Sequence, residues 1–266
     1  MIRIIFSLVL YKHKFVEIEK LIFSICSFEK LGKKFDFKTH LLIHDNSPNS
    51  TIENLICRYK FIKYICNGKN IGFGNGHNSN LFNYDYASSD IYIIVNPDIE
   101  FNSLCLIKFV QQFINSDFLC IAPLIRDSRG FIQYSAKTNP TILSLLLGRF
   151  NLLQKITIFK NYYIKHTNKD SDYTKDKIKS SYLSGCFLLV KSHIYHKIQG
   201  FDPIFFLHLE DADFTRKCSQ YGKVIHNPSC TITHSWARGS HKSFKQMFYL
   251  IISTFKYFKK WGFVIF

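Results

Sequence analysis

A chain of 266 residues that is 47% apolar and 20% charged reads as globular, as one large domain or two small ones with ample material for a core. Its 35 Lys and Arg against 19 Asp and Glu give a net charge of +16, which calls for an anionic partner: nucleic acid, anionic lipid head groups and diphosphate substrates all qualify. No apolar run reaches the ~18 residues of a membrane span, and the eight cysteines contain no Cys-x-x-Cys pair, which argues for reduced, buried thiols in a cytoplasmic protein and against disulfides or a zinc ribbon.

Ile2–Tyr11 is a continuous β-branched and apolar run, the pattern of a strand buried on both faces; no small-residue cleavage site follows that would make it a leader. Phe15–Leu31 carries apolar residues at helical spacing and stops at Gly32, a C-cap residue. A strand over Leu41–His44, a helix over about Ser50–Tyr59 and a strand over Phe61–Cys66 complete a βαβαβ order, which predicts an α/β protein with a parallel sheet. In such sheets ligands bind at the carboxyl ends of the strands. Asp45 stands at one of these ends, either as an acceptor for a nucleotide base N–H or as the anchor of an Asx turn before Pro48.

Asn67–Asn78 holds Gly68, Gly72, Gly74 and Gly76, a loop whose backbone can approach a bulky ligand, and a helix over about His77–Tyr86 follows. It has neither Walker A nor G-x-G-x-x-G spacing. Asp90–Val95 is a buried-strand pattern running into Asn96-Pro97-Asp98, where Asp98 is placed to hold a divalent ion on a diphosphate, or to serve turn chemistry alone. A helix over Leu104–Ile114, a strand over Phe118–Pro123, a hairpin turn at Asp127–Gly130 and a surface helix over Pro140–Phe150 come next. The polar, lysine-rich Asn161–Lys179 reads as a mobile loop between two halves.

Ser180–His234 concentrates the chemistry: an apolar strand, a Gly-Phe-Asp-Pro turn, the acids Glu210, Asp211 and Asp213, and His234. Phe214, Cys218 and Tyr221 share one helix face, so Glu210 and Asp211 fall at or just before a helix start. Acids there are commonly first-turn residues favoured by the dipole. Phe201, Phe205, Phe206 and Leu207 nevertheless deliver them from an apolar segment, where a carboxylate can act as a base near neutrality. Phe244–Phe266 is a basic, aromatic amphipathic helix, suited to packing on the domain or to lying on a membrane surface.

Taken in order, Asp45-Asn46-Ser47, Asn70-Ile71-Gly72-Phe73-Gly74-x-Gly76-x-Asn78, Asn96-Pro97-Asp98, Ser184-Gly185-Cys186-Phe187, Gly200-Phe201-Asp202, the Glu210–Arg216 acids, Pro228 and His234 resemble glycosyltransferase family 2 in its rhamnosyltransferase-like branch. The resemblance covers nearly the whole chain. It implies a GT-A fold: a mostly parallel central sheet flanked by helices over 1–240, with 1–123 holding a nucleotide-sugar donor and 124–240 the acceptor, and a C-terminal helix over 241–266. It implies Asp211 as catalytic base with Glu210 as second choice, Asp98 and His234 at Mg²⁺ or Mn²⁺, and donor contacts from Tyr11, Asp45, Asn70, Gly72, Phe73, Asn78, Asn96 and Gly185. Arg238 and His241 would add positive charge, and Asp213 and Arg216 would form a helix-face ion pair.

The activity implied is inverting transfer of a sugar, rhamnose among the candidates, from a nucleotide sugar to a lipid-linked saccharide in O-antigen or capsule synthesis. The enzyme would work at the inner face of the plasma membrane, in contact with anionic lipid and without nucleic acid, and the C-terminal helix also offers a surface for a homodimer. The alternative is a basic nucleic-acid-binding protein or a membrane-surface scaffold without catalysis; no RRM, KH or zinc-finger signature supports the former.

Overall fold

The computed structural model describes residues 1–49, 52–56, 59–235 and 244–266. The elements are β1 (Ile2–Leu10), α1 (Phe15–Gly32), β2 (Phe37–Asp45), α2 (Glu53–Ile56), β3 (Ile62–Cys66), α3 (Phe73–Phe82), β4 (Ile91–Val95), β5 (Ile99–Phe101), α4 (Ser103–Ile114), β6 (Phe118–Arg126) and β7 (Ala136–Lys137). They continue with α5 (Ile142–Arg149), α6 (Thr157–His166), β8 (Ile178–Lys179), β9 (Tyr182–Leu183), β10 (Phe187–Lys191), α7 (Ser192–Lys197), α8 (Glu210–Ser219), β11 (Lys223–His234) and α9 (Phe244–Trp261).

One sheet has the order β3-β2-β1-β4-β10-β6-β11-β5, with β8 on β11, while β7 and β9 form a separate two-stranded ribbon. β1, β2, β3, β4, β6 and β11 point one way and β5, β8 and β10 the other, so the sheet is mostly parallel, as expected. β1 is buried throughout its second half because it lies between two helical layers. Ile4, Phe6, Leu8 and Leu10 face a core shared with α1 and α4, and Ile5 faces the core of α3, α7 and α8. From β1 the chain steps to β2 and β3 on one side and then to β4 on the other, so a crevice opens beyond the carboxyl ends of β1 and β4.

Several expectations are corrected. Gly32 is the last residue of α1 in ordinary helical conformation; the chain continues into a 3₁₀ turn, and Asp36 takes the left-handed position. α3 begins at Phe73, four residues before His77, and includes Gly74 and Gly76. Those two glycines are required by packing: a Cβ on Gly74 would lie 2.8 Å from Phe201, and one on Gly76 would lie 2.7 Å from Val9. Asn161–Lys179 is folded, comprising the end of α6, a turn and β8. It is held by Tyr173, whose buried hydroxyl donates to the carbonyls of Ala136 and Thr167. Phe214 and Cys218 are buried as predicted, but Tyr221 lies past the end of α8 and is exposed. The predicted 50–59 helix is described only over Glu53–Ile56.

α9 packs through Tyr257 and Phe258 onto Phe205, Leu209 and Ala212. It also ties down the segment before α8: Ser253 donates to the Leu207 carbonyl and Lys256 to that of Ile204, while Lys260 pairs with Asp202 and Asp213. Asp213 therefore does not pair with Arg216. It accepts from Lys260 and the Trp261 indole, while Arg216 stacks on Trp261 and donates to the Tyr257 hydroxyl.

Candidate functional site

Leu10 and Asp45 are partners across β1 and β2, and Leu8 and Val95 across β1 and β4, so three carboxyl ends reach one edge together. At the β1–β2 end the Asx turn forms: Asp45 Oδ1 accepts from Ser47 N at 2.8 Å and Oδ2 from the Tyr64 hydroxyl at 2.7 Å. Ser47 Oγ accepts from Lys12 N at 2.6 Å, fixing the exposed Tyr11 beside this turn. Asn46 donates to the Gly72 carbonyl at 3.1 Å and accepts from Ile71 N, and Asn70 Oδ1 accepts from Gly72 N. Gly72 sits at φ 92 under the Phe206 carbonyl, where a Cβ would collide with that oxygen. Tyr11, Asp45, Asn70 and Gly72 thus form one corner.

A second corner lies beyond β4 and β11. The three-residue β5 runs antiparallel to β11 with Ile99 opposite His234, which brings Asp98 Oδ1 to 3.2 Å from His234 Nε2. Gln133 donates to the His234 carbonyl at 3.1 Å, so its Oε1, 2.8 Å from His234 Nδ1, accepts the proton of that nitrogen. Nε2 therefore faces the Asp98 carboxylate and needs a second proton or a cation between them. Burial opposes the charged imidazole, but hydrogen bonds to Asp98 and Cys186 outweigh it and lift its pKa to about 10. Asn96 N donates to the Cys186 carbonyl, joining this corner to β10.

The acids form the third corner. His208 and Leu209 take successive φ values of 70 and 61 before α8, an uncommon conformation for a bulky residue like Leu209 and a strain of about 1–3 kcal/mol for each residue. Asp211 Oδ2 accepts from Gly185 N at 3.0 Å and Oδ1 from Ala212 N at 2.9 Å. Gly185 has no room for a side chain, since a Cβ would lie 2.9 Å from that of Asp211 and 3.5 Å from the Phe73 ring. Glu210 is buried with Oε2 lacking a partner; burial and the charge of Asp211 push its pKa up to about 8. Gly185 and Cys186 are consecutive, so the second and third corners meet there.

No family model matches the chain. It is 24% identical over 230 residues to rhamnosyltransferase WbbL of Escherichia coli (strain K12), covering 82% of this chain and 81% of that protein. It is likewise 24% identical over 217 residues to the N-acetylglucosaminyl-diphospho-decaprenol L-rhamnosyltransferase of Mycobacterium tuberculosis (strain ATCC 25618 / H37Rv), covering 75% and 67%. Crystal structures of GalNAc-T7 with UDP, GalNAc and Mn²⁺ (TM-score 0.61, 12% identity, 88% of this chain) and of S. aureus TarS 1–349 (0.55, 13%, 86%) share its architecture. The fold is GT-A, and the chain is rhamnosyltransferase-like. It spans 45% of the GalNAc-T7 chain and 60% of the TarS chain.

Within this GT-A frame the structure brings Asp98, His234, Asn96, Gly185, Phe73, Glu210 and Asp211 around one crevice. Asn78 is turned away from it: its side chain holds Phe201 N, the Phe201 carbonyl and the Tyr195 hydroxyl. Arg238 and His241 lie outside the described residues. Sequence reading missed Asn46 as the clamp on Gly72 and Gln133 as the partner of His234. Only Asn46 carried a signal, as the middle of the quoted Asp45-Asn46-Ser47. Among the described residues no group of three or more His, Cys, Asp or Glu is arranged to hold a metal ion.

Proposed function

We propose that the protein is an inverting glycosyltransferase that moves a sugar, L-rhamnose by the names of its relatives, from a nucleoside-diphosphate donor to a lipid-linked saccharide in surface polysaccharide synthesis. The observation that carries this reading is the meeting of the Asp98–His234 pair and the backbone-held Asp211 across Gly185-Cys186, with the Asp45–Gly72 corner alongside. In it, 1–123 holds the donor, 124–240 the acceptor, and 241–266 faces the anionic membrane.

Asp211 takes the proton of the acceptor hydroxyl as its oxygen bonds to the anomeric carbon; the bond from that carbon to the donor phosphate breaks, and the nucleoside diphosphate leaves from the opposite face. The configuration inverts in this single displacement. Glu210, holding its own proton at neutral pH, is the weaker candidate for base. A carboxylate beside an imidazole is a donor set that accepts Mn²⁺ or Mg²⁺, so Asp98 and His234 would hold that ion. Bound there, it would neutralise the leaving diphosphate. Asp45 and Tyr11 contact the nucleoside, Asn70, Gly72 and Phe73 line the donor pocket, Asn78 shapes it through Phe201, and Arg238 and His241 add positive charge.

Thermal shift against a panel of nucleoside diphosphates and nucleotide sugars, with and without Mn²⁺, tests the reading. One nucleotide should raise the melting temperature of the wild type in the presence of Mn²⁺ and leave Asp98→Ala unmoved. Stabilisation of both proteins by polyanions, with no response to nucleotides, would instead favour the basic binding protein.

A further inference from the structure

We propose that Lys137 and Lys169 form a phosphate-binding subsite on the acceptor side of Asp211, which takes the anionic phosphate that joins an acceptor sugar to its carrier. The inference rests on the reading of Asp211 as the base that serves the acceptor hydroxyl. β7 and β9 pair with Lys137 opposite Tyr182, and Leu183 N donates to Thr215 of α8. Three residues beyond Tyr182, Gly185 N donates to Asp211. The ribbon is thereby laid along the helix that presents the base, and it carries Lys137.

The Lys137 ammonium lies 4.9 Å over the Tyr182 ring, and Lys169 lies 4.7 Å from the Tyr134 ring and 5.6 Å from that of Tyr163. Neither makes an ion pair among the described residues. Lys217 and Lys260, the recessed lysines beneath α8, are by contrast neutralised by Asp213 and Asp202. Burial pushes the pKa of Lys137 down; the charge of Asp211 counters this in part, and the charge of Lys169 adds to the lowering. His166, bonded to Thr138 beside β7, is held neutral by burial and by Lys137 and supplies no compensation. Asn168 donates to the Ala136 carbonyl, so the two lysines stand on segments tied to each other, and two cations set on aromatic faces without a carboxylate partner make a place for an anion.

Along Tyr182–Cys186 the strand partner of Lys137 comes first, the Asp211 contact at Gly185 next and the Asn96 contact at the Cys186 carbonyl last, so Lys137 and the Asp98–His234 pair flank Asp211 from opposite ends of this segment. The donor diphosphate belongs on the His234 side. The anion at Lys137 is then the one attached to the acceptor sugar whose hydroxyl meets Asp211. α6, which supplies Tyr163, also presents the exposed Ile158, so a lipid carrier leaving the subsite meets an apolar surface.

The test measures binding of two probes in EDTA: a short-chain prenyl diphospho-N-acetylglucosamine, and octyl N-acetylglucosaminide, which lacks phosphate. Wild type should prefer the diphosphate. Lys137→Gln should lose at least about tenfold affinity for that probe alone, with Lys137→Arg retaining most of it. Lys169→Gln, at the exposed edge, should weaken the same probe and serves as the second arm should Lys137→Gln fold poorly. Nucleotide-induced stabilisation in Mn²⁺ should not change in any of the three. Equal loss on both probes, no loss on either, or a weakened nucleotide response that assigns the lysines to the donor would overturn the proposal. If the wild type answers to no nucleotide, the transferase reading fails separately, because the two probes are measured without donor.

Discussion

Glu210 and Asp211 are adjacent carboxylates that the fold separates chemically. The Glu210 pKa rises from the ordinary 4.5 to about 8 under burial and the charge of Asp211, so between those pH values the folded protein keeps a proton that the unfolded chain releases. Stability contributed by this group therefore falls as pH rises through that window, by up to about 1.4 kcal/mol per pH unit. Denaturant titrations from pH 5 to 8 should show Glu210→Gln losing less stability than wild type. The reverse order would mean that Glu210 is ionised in the fold. Asp211→Asn should keep nucleotide binding and lose about 10²–10⁴-fold in transfer rate, measured by release of nucleoside diphosphate. The acidic cluster and its place at a helix start were legible from Phe214, Cys218 and the preceding aromatics. The division of labour was not, because it depends on which oxygen meets the Gly185 N–H and which meets nothing, and both are set by long-range packing.

At the scale of elements, α3 gives the clearest contrast between pattern and cause. The glycines of 67–78 suggested an open loop for a ligand, and at Gly72 a positive φ and a close carbonyl do require glycine. Gly74 and Gly76 lie inside the helix because Phe201 and Val9 press against it. Gly74→Ala should therefore cost about 1–3 kcal/mol by overpacking against Phe201, read as a lower denaturation midpoint. A gain in stability, as helix propensity alone would give, would refute the packing account. The strong strands β1 and β4 and helices α1 and α4 were readable because each carries its own periodicity. β5, β7 and β9 have two or three residues each and exist only through their partners, so the pairing that joins Asp98 to His234 and the ribbon that carries Lys137 left no local signal.

At the scale of the whole molecule, the exposed apolar residues are unevenly spread. Among the described residues, thirteen of the twenty-three exposed large hydrophobics lie within 142–158 and 244–266. These two segments touch: Ile142 and Leu143 donate to the carbonyls of Val264 and Ile265, and Ile142 and Leu145 pack beside Tyr257 and Phe258. Phe244, Phe248, Ile251 and Phe255 follow helical spacing on the outer face of α9, whose inner face holds the segment leading to Glu210 and Asp211. No described helix is long and apolar enough to cross a membrane. The membrane contact proposed above would use this amphipathic face. Lys245, Lys256 and Lys259 flank the stripe, and each lysine near an anionic surface contributes about 1 kcal/mol. The protein should cosediment with phosphatidylglycerol-containing vesicles, less at high salt, and only weakly with pure phosphatidylcholine. Replacing Phe248, Ile251 and Phe255 together with Ser should reduce that binding by at least about tenfold while leaving nucleotide-induced stabilisation intact, because the three side chains face away from Leu209 and Ala212. If the triple variant instead converts a dimer to a monomer in sedimentation velocity and binds vesicles as wild type does, the face belongs to a second copy of the chain, and the acceptor must reach Asp211 by another route.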